Sequence, residues 1–170
     1  MYIVAIVQAR MGSMRFPNKV MQSIGIGVPM IEVLLSRLSK SKEIDKIILA
    51  TSNDQCNKTL VEHVSGLGYD VYQGSENDVL ERVLESAKSV NSDIIIELWG
   101  DSPLLDSNIL NDQIDFYQKN RYDCVGTTFP NFKKTYPLGI SALIFPLKIL
   151  EEVNQITSEK YYVNNKIVDK

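Results

Sequence analysis

Short apolar runs rich in β-branched residues alternate along this chain with longer segments whose apolar residues recur at helical spacing. The runs IIL at 47–49 and IIIEL at 94–98 are almost continuously apolar, which is typical of strands covered on both faces in a parallel sheet. The pattern predicts six strands, at Tyr2–Val7, Lys46–Thr51, Asp70–Tyr72, Asp93–Leu98, Asp123–Thr127 and Ser141–Phe145.

The segments between the strands predict amphipathic helices. In the first of them, Ile31, Leu34 and Leu38 fall on one face. Ser75 and Asp78 have the spacing of a capping box at the start of the predicted helix Val79–Val90. The predicted helices are Met30–Lys40, Asp54–Gly66, Val79–Val90, Ser107–Lys119 and Pro146–Val153. This alternation favours right-handed βαβ crossovers and hence an α/β fold: a doubly wound, mostly parallel, Rossmann-like sheet in a three-layer αβα arrangement.

The composition argues against several classes of function. A net charge of −3 disfavours general nucleic-acid binding, which requires a basic face. No apolar run approaches the roughly 18–20 residues that span a bilayer, and the N-terminus lacks the basic start of a signal peptide. We therefore expect no membrane partner and a cytoplasmic location. Cys56 and Cys124 lack metal-ligand spacing, so we expect reduced thiols and no zinc site.

The stretch QARMGSMRFPNK, residues 8–19, directly follows the first predicted strand and contains no acidic residue. Ligands of doubly wound sheets bind beyond the carboxyl ends of the strands. The stretch combines cations and small residues that suit an anionic ligand: Arg10, Gly12, Ser13, Arg15 and Lys19. Guanidinium forks match phosphate oxygens, and small residues let the backbone approach them closely. The loop predicts a di- or triphosphate site, with a merely solvated basic loop as the alternative.

Two motif-based alternatives find little support in the sequence. The loop has neither the P-loop pattern GxxxxGK[ST] nor the dinucleotide fingerprint GxGxxG. An NAD-linked enzyme would fit the predicted fold class, but the missing fingerprint argues against it. A hydrolase triad is disfavoured because the chain has a single histidine, His63, and no GxSxG motif.

Asp101, in the stretch WGDSPLLD, comes just past the buried strand at 94–98. A carboxylate there points toward the ligand crevice and can bind Mg²⁺ together with phosphate oxygens. Capping the following helix is the alternative role, but Asp106 is better placed for it.

A third polar stretch, GSENDVLER, follows the third predicted strand. Gly74 and Ser75 lie before a helix N-terminus, where backbone N–H groups can meet ribose or base. Asp78 and Arg82 lie four residues apart, so their side chains either form an ion pair along the helix or contact the nucleotide.

Three motifs together carry a resemblance to a known family. QARMGSMRFPNKV resembles the sugar-nucleotidyltransferase signature [A/Q]-A-R-x-x-S-x-R-x-P-x-K, in the form most similar to the cytidylyltransferase family of spore coat polysaccharide biosynthesis protein F. GDSP and GSENDVLER resemble that family's GD-x-P and G-S-x-x-D-V-L-x-R elements. Relatives of this family include the CMP-sugar synthetases for 3-deoxy-manno-octulosonate and for acylneuraminate-type acids. The match runs roughly from Tyr2 to Phe145.

The resemblance implies a fold of the nucleotide-diphospho-sugar transferase type. It implies a nucleotidyltransferase domain over residues 1–155 and a C-terminal tail over residues 156–170 that is shorter than in the family. The implied activity joins CMP from CTP to an acidic sugar, releasing pyrophosphate, in surface polysaccharide or glycan synthesis. Because family members often dimerise, we also expect a homodimer.

The same resemblance implies roles for individual residues. Residues implied to bind the nucleotide are Ala9, Arg10, Gly12, Ser13, Arg15, Lys19, Gly74, Ser75 and Asp78. Among them, the catalytic residues that hold the triphosphate and the leaving pyrophosphate are Arg10, Arg15 and Lys19. Asp101 is the implied Mg²⁺ ligand, and the implied sugar-binding residues are Trp99, Tyr136 and Pro137.

The stretch TYPLGISALIF, residues 135–145, departs from the family's T-Y-P-R-G-L-D-V-E-V-F. Leu138, Ser141 and Leu143 stand where arginine, aspartate and glutamate are usual. Three charged positions are thus lost together in the region expected to face the sugar. Two alternatives stay open: a non-catalytic nucleotide-binding domain, and a hexose-1-phosphate nucleotidyltransferase that uses another nucleoside triphosphate. The sequence leaves the base and the sugar undetermined.

Overall fold

The structure is a computed structural model that describes residues 1–13, 15–25, 27–120, 122–127, 136–137, 139–140, 142–163 and 166–169, with side chains up to residue 157. Of the three substituted family positions, Leu143 lies within this part of the chain. Leu138 and Ser141 lie outside the described residues.

The strands of the described residues form one six-stranded sheet and one two-stranded sheet. Their bounds are β1 (Ile3–Gln8), β2 (Lys46–Ser52), β3 (Asp70–Gly74), β4 (Ile94–Trp99), β5 (Val125–Gly126), β6 (Leu143–Pro146), β7 (Lys160–Val163) and β8 (Lys166–Asp169). The large sheet has the order β3-β2-β1-β4-β6-β5, and β7 pairs with β8 in antiparallel fashion. Neighbouring strands from β3 to β4 are parallel, whereas β6 runs antiparallel to both β4 and β5.

Helices cover both faces of the large sheet. The α-helices of the described part are α1 (Met30–Leu38), α2 (Lys58–Gly66), α3 (Val79–Lys88), α4 (Ser107–Lys119) and α5 (Leu147–Glu159). One core packs α1, α2 and α4 against alternate β1 residues such as Ala5 and Val7. The other packs α3 and α5 against the intervening residues Val4 and Ile6. Since strand side chains alternate between faces, this two-sided burial explains the continuously apolar runs. The predicted three-layer α/β class is confirmed.

Individual boundaries differ from the prediction in ways that local contacts explain. Strands β1 and β4 each begin one residue later than predicted, at Ile3 and Ile94. The Asp93 carboxylate accepts a hydrogen bond from the Tyr2 backbone N–H at 2.6 Å, so a side-chain-to-backbone contact precedes the two strands. The predicted helix 54–66 divides into a 3-10 turn at Gln55–Asn57 and α2, and Asp54 caps the turn.

The C-terminal region differs most from the sequence prediction. Helix α5 continues to Glu159, six residues beyond the predicted end, because its polar last turns carry little apolar signal. The expected boundary between residues 155 and 156 therefore falls within α5, and the region predicted as a tail contains β7 and β8. None of the helices in the described ranges is long and apolar enough to cross a bilayer.

Candidate active site

The loops after β1 and β4 meet α3 around a cavity of about 390 Å³ at the carboxyl edge of the sheet. The strand order reverses direction here, since β1 lies between β2 on one side and β4 on the other. Doubly wound sheets bind ligands at this kind of switch point. The described lining residues are Gln8, Ala9, Arg10, Ser13, Arg15, Lys19, Val20, Val79, Arg82, Trp99, Gly100 and Asp101.

A buried asparagine stabilises the loop after β1 through a hydrogen bond to its backbone. The Met11 backbone N–H donates to Asn57 Oδ1 at 2.8 Å, and Asn57 is fully buried. The amide nitrogen of Asn57 in turn donates to Ser52 Oγ at 2.6 Å, which ties the loop to the end of β2. Sequence analysis missed Asn57 because no local pattern links it to a loop 46 residues earlier. It positions the loop without lining the cavity.

Gly100 brings the loop after β4 into contact with the loop after β1. Its backbone N–H donates to the Gln8 carbonyl at 2.8 Å. A Cβ at Gly100 would lie 2.6 Å from the Ala9 Cβ, closer than two carbon atoms can pack, and a tight 3.1 Å from the Gln8 carbonyl oxygen. The close approach therefore requires glycine, and it places Asp101 opposite the cations of the first loop.

Two of those cations are paired with acids from the neighbouring loops. Lys19 Nζ forms an ion pair and hydrogen bond with Asp101 Oδ2. Arg10 Nη1 donates to Glu76 Oε1 at 2.7 Å, and Glu76 lies in the loop between β3 and α3. Among the described residues, Arg15 has no ion pair. Two ion pairs thus connect the loops after β1, β3 and β4, which are distant in sequence.

Seven of the predicted site residues line the cavity and six do not. Those that line it are Ala9, Arg10, Ser13, Arg15, Lys19, Trp99 and Asp101. Those outside the described lining are Gly12, Gly74, Ser75, Asp78, Tyr136 and Pro137. A Cβ at Gly12 would meet the Cys56 sulfur only at 3.9 Å, so steric crowding does not require glycine there. The roles of all these residues stay predictions.

The Ser75–Asp78 pair works as a cap, but not in the predicted arrangement. Asp78 is the N-cap of α3, and its Oδ1 accepts from the Glu81 backbone N–H at 2.9 Å. Ser75 Oγ accepts from the Asp78 backbone N–H at 3.1 Å, so the serine stabilises the turn before the cap. Asp78 forms no ion pair with Arg82 among the described residues, so the expected alternative of an ion pair along the helix is wrong. Arg82 instead faces the cavity, and the motif GSENDVLER already contained it.

Asp106 caps α4, as its position predicted. Its Oδ1 accepts from the Asn108 and Ile109 backbone N–H groups at 2.8 and 3.3 Å. Asp101 is consequently free of a capping role, and its half-exposed carboxylate faces the cavity. Within the ranges that the structure describes, no three acidic, histidine or cysteine side chains form a metal cluster. A Mg²⁺ ion that arrives with phosphate oxygens needs only one or two carboxylates, and Asp101 fits that donor set.

Glu97 is an acidic side chain beside the cavity that sequence analysis did not single out. Gln8 Nε2 donates to Glu97 Oε1, and Gln8 lines the cavity. Burial raises the pKa of the Glu97 carboxyl, while the hydrogen bond from Gln8 acts to lower it. On the other side of β4, Glu97 pairs in register with Leu143 of β6. The pair Gln8–Glu97 thus links the cavity to the antiparallel part of the sheet.

The comparisons with known proteins identify the class of protein. A sequence model described as cytidylyltransferase matches residues 4–167. The chain belongs to the cytidylyltransferase family. The family inferred from its motifs is confirmed.

Individual relatives agree with this assignment. The chain is 38% identical over 161 residues to an uncharacterized protein of Methanocaldococcus jannaschii, covering 95% of this chain and 63% of that protein. It is 31% identical over 160 residues to spore coat polysaccharide biosynthesis protein SpsF of Bacillus subtilis, covering 91% of this chain and 63% of that protein.

A solved cytidylyltransferase from Leptospira borgpetersenii superposes with a TM-score of 0.85 at 33% sequence identity. The match covers 92% of this chain and 65% of that one. The chain spans less than two thirds of the length of these relatives.

Proposed function

We propose that this protein transfers CMP from CTP to a sugar acceptor, with release of pyrophosphate. The observation that carries the proposal is the convergence of Arg10, Arg15 and Lys19 with the Asp101 carboxylate around one cavity. Cations hold a triphosphate, and a single carboxylate suits its magnesium ion. Membership in the cytidylyltransferase family supports CTP over other nucleotides.

In this reaction an oxygen of the acceptor attacks the α-phosphorus of CTP in line. The new P–O bond forms as the bond to the β-phosphate oxygen breaks, and pyrophosphate leaves with the electron pair. The acceptor hydroxyl loses its proton to solvent. Arg10, Arg15 and Lys19 hold the polyphosphate and neutralise the charge that develops on the leaving group. Such positioned charges carry most of the catalysis in nucleotidyl transfer, since the protein itself forms no covalent bond.

Magnesium, when bound, would be held by Asp101 together with phosphate oxygens, and it would neutralise and orient the triphosphate. Lys19 is paired with the same carboxylate, so the lysine is already at the place where the metal and phosphates meet. If Asp101 held Mg²⁺, Lys19 would be available to bind a phosphate oxygen.

The acceptor we propose is an acidic sugar of the ulosonic type, in surface polysaccharide or glycan synthesis. The motif resemblance to CMP-sugar synthetases and the similarity to a spore coat polysaccharide biosynthesis protein support it. Trp99 is 37% exposed and lines the cavity, which suits stacking on a sugar ring. Tyr136 and Pro137 are exposed and not part of the described cavity lining. They retain a proposed sugar-binding role only for a larger acceptor.

Two further features belong to the proposal. We propose a cytoplasmic location, which the free thiols of Cys56 and Cys124 support because cysteines stay reduced there. We also propose a homodimer, by analogy with the family. Light scattering of the purified chain tests the assembly directly, and a monomeric mass would contradict it.

A panel assay tests the function. We expect pyrophosphate release with CTP, Mg²⁺ and an ulosonic acid, and little release with ATP, GTP, UTP or dTTP. Release that depends on a hexose 1-phosphate and another nucleotide would instead favour the hexose-1-phosphate enzyme. CTP binding without turnover on any acceptor would favour the non-catalytic nucleotide-binding domain, an alternative that the loss of a charged residue at Leu143 supports.

A further inference from the structure

Arg82 is a buried arginine in the wall of the cavity. The residue is only 3% exposed, yet it lines the cavity together with Val79 of the same helix. Gly74 leaves space for its stem, since a Cβ there would lie 3.2 Å from the Arg82 Cγ. The fold thus brings a guanidinium from α3 to the same cavity that Lys19 and Asp101 line.

The charge of Arg82 is poorly compensated by the protein. Its Nη1 donates to the Ser75 carbonyl at 2.5 Å, but its Nε is buried and has no acceptor among the described residues. No described carboxylate lies within ion-pair distance of it. A buried cation without a paired anion is costly, because solvation is lost and no opposite charge replaces it.

Its position on the helix adds to this imbalance. Arg82 is the fourth residue of α3, near the helix end that carries partial positive charge and disfavours cations. Burial lowers the pKa of Arg82, the charge of Arg10 acts in the same direction, and the charges of Glu76 and Asp78 oppose them. Asp78 caps the helix, and Glu76 pairs with Arg10 through Oε1, while its Oε2 is buried without a hydrogen-bond partner among the described residues.

We propose that Arg82 binds an oxyanion of the ligand, specifically a phosphate oxygen of the nucleotide. The inference rests on the proposed function and adds a fourth cation to the three that the signature loop supplies. A phosphate oxygen would provide both the missing acceptor for Nε and the missing negative charge. The carboxylate of an acidic sugar offers the same chemistry, but Arg82 donates to the Ser75 carbonyl, and the next residue, Glu76, pairs with Arg10 of the phosphate loop.

The test measures anion binding and folding stability separately. Calorimetry with pyrophosphate and with CTP, each with Mg²⁺, is carried out on the full chain and on Arg82→Met and Arg82→Lys. We expect binding of both ligands to weaken at least tenfold in Arg82→Met and less in Arg82→Lys, which keeps the charge but loses the fork. We expect the free energy of unfolding of Arg82→Met in urea to be unchanged or higher, because an uncompensated buried charge is removed.

Arg37→Met is the matched control. Arg37 also donates to a backbone carbonyl, that of Leu105, but it does not line the cavity, so its loss should leave both affinities unchanged. Affinities within twofold of wild type in both Arg82 variants would overturn the inference. So would weakened binding of an acidic sugar alone, which would assign Arg82 to the acceptor. If Arg82→Met does not fold, Arg82→Lys decides by the same criterion.

Failure of the proposed function gives a different result from failure of this inference. Wild-type protein that binds neither CTP nor pyrophosphate would overturn both. Wild-type protein that binds them, together with Arg82 variants that bind equally well, would overturn the role of Arg82 alone.

Discussion

The two halves of the central sheet differ in what they contribute to the cavity. The parallel half, β3-β2-β1-β4, supplies every described lining residue through the segments 8–20, 79–82 and 99–101. The antiparallel half, β6 and β5 with α5, supplies none within the described ranges. The tightly packed Gly100 and the ion pairs Lys19–Asp101 and Arg10–Glu76 all belong to the parallel side.

This difference separates the handling of the nucleotide from the choice of acceptor. The proposed polyphosphate site is built by local loops after parallel strands, where backbone and charge converge at one edge. The antiparallel half contains Leu143, which replaces a charged family residue and pairs in register with Glu97 of β4, and the Glu97 carboxylate accepts a hydrogen bond from Gln8 in the cavity lining. Substitutions in the two halves should therefore have separable effects on turnover, metal dependence and stability.

The largest effect is expected from Lys19→Ala. Loss of a cation that stabilises the leaving pyrophosphate should lower the rate of pyrophosphate release by about 100-fold or more. Lys148→Ala, an exposed lysine on α5 of the antiparallel half, is the control and should leave the rate unchanged. If folded Lys19→Ala turned over within threefold of wild type, the assignment of polyphosphate binding to the parallel half would be contradicted.

Asp101→Asn tests the metal role on the same side. Replacing the carboxylate by a neutral amide should raise the Mg²⁺ concentration needed for half-maximal CTP binding by about tenfold, equal to roughly 1.4 kcal/mol. Asp106→Asn serves as the control because asparagine caps a helix as well as aspartate does. An unaltered Mg²⁺ titration of Asp101→Asn would place the metal on other ligands.

Gly100→Ala tests the close contact that aligns the two loops. The added methyl would overlap Ala9 and the Gln8 carbonyl, so the free energy of unfolding should fall by about 1–3 kcal/mol. Gly66→Ala in α2 has open space around the new methyl and should leave stability unchanged or slightly raise it. Urea denaturation measures both, and equal stabilities of the two variants would contradict the packing described at Gly100.

The smallest effect is expected from Glu97→Gln, at the border between the halves. Because the folded pKa of Glu97 is raised, the folded state holds its proton more tightly than the unfolded chain does. Stability should therefore fall as pH rises from the usual glutamate pKa through the raised folded value. Glu97→Gln should flatten this dependence and be the more stable form at neutral pH.

Urea titrations at several pH values measure the Glu97 effect. Glu152→Gln, an exposed acid on α5, is the control and should keep the wild-type slope. If Glu97→Gln kept the wild-type slope of stability against pH, Glu97 would not be the source of that pH dependence.

Much of the fold could be predicted because it follows from local patterns. The apolar runs predicted β1, β2 and β4 to within one residue at each end, and α4 was predicted with the bounds that it has. The antiparallel edge was harder: β5 has only two residues, and β6 starts two residues late at Leu143. Short edge strands are set by pairing across the sheet, which no local pattern contains.

The site was predictable where its chemistry is carried by consecutive residues. The run from Arg10 to Lys19 and the aspartate after β4 stand out by charge and by their position after strands. For Arg82 the spacing leaves two roles open, an ion pair with Asp78 or contact with the nucleotide, because spacing alone cannot show that the side chain is buried. Asn57 and Glu97 gave no signal, because their partners Met11 and Gln8 are distant in sequence.

The sequence by itself determined the layered α/β class, the family, and the cationic loop with its aspartate, because each is a property of consecutive residues and their periodicity. Only the tertiary structure decided that Lys19 meets Asp101, that Arg10 meets Glu76, and that Arg82 enters the cavity wall. The two ion pairs join residues that are 66 and 82 positions apart in the sequence. Residues so far apart come into contact only when the sheet assembles.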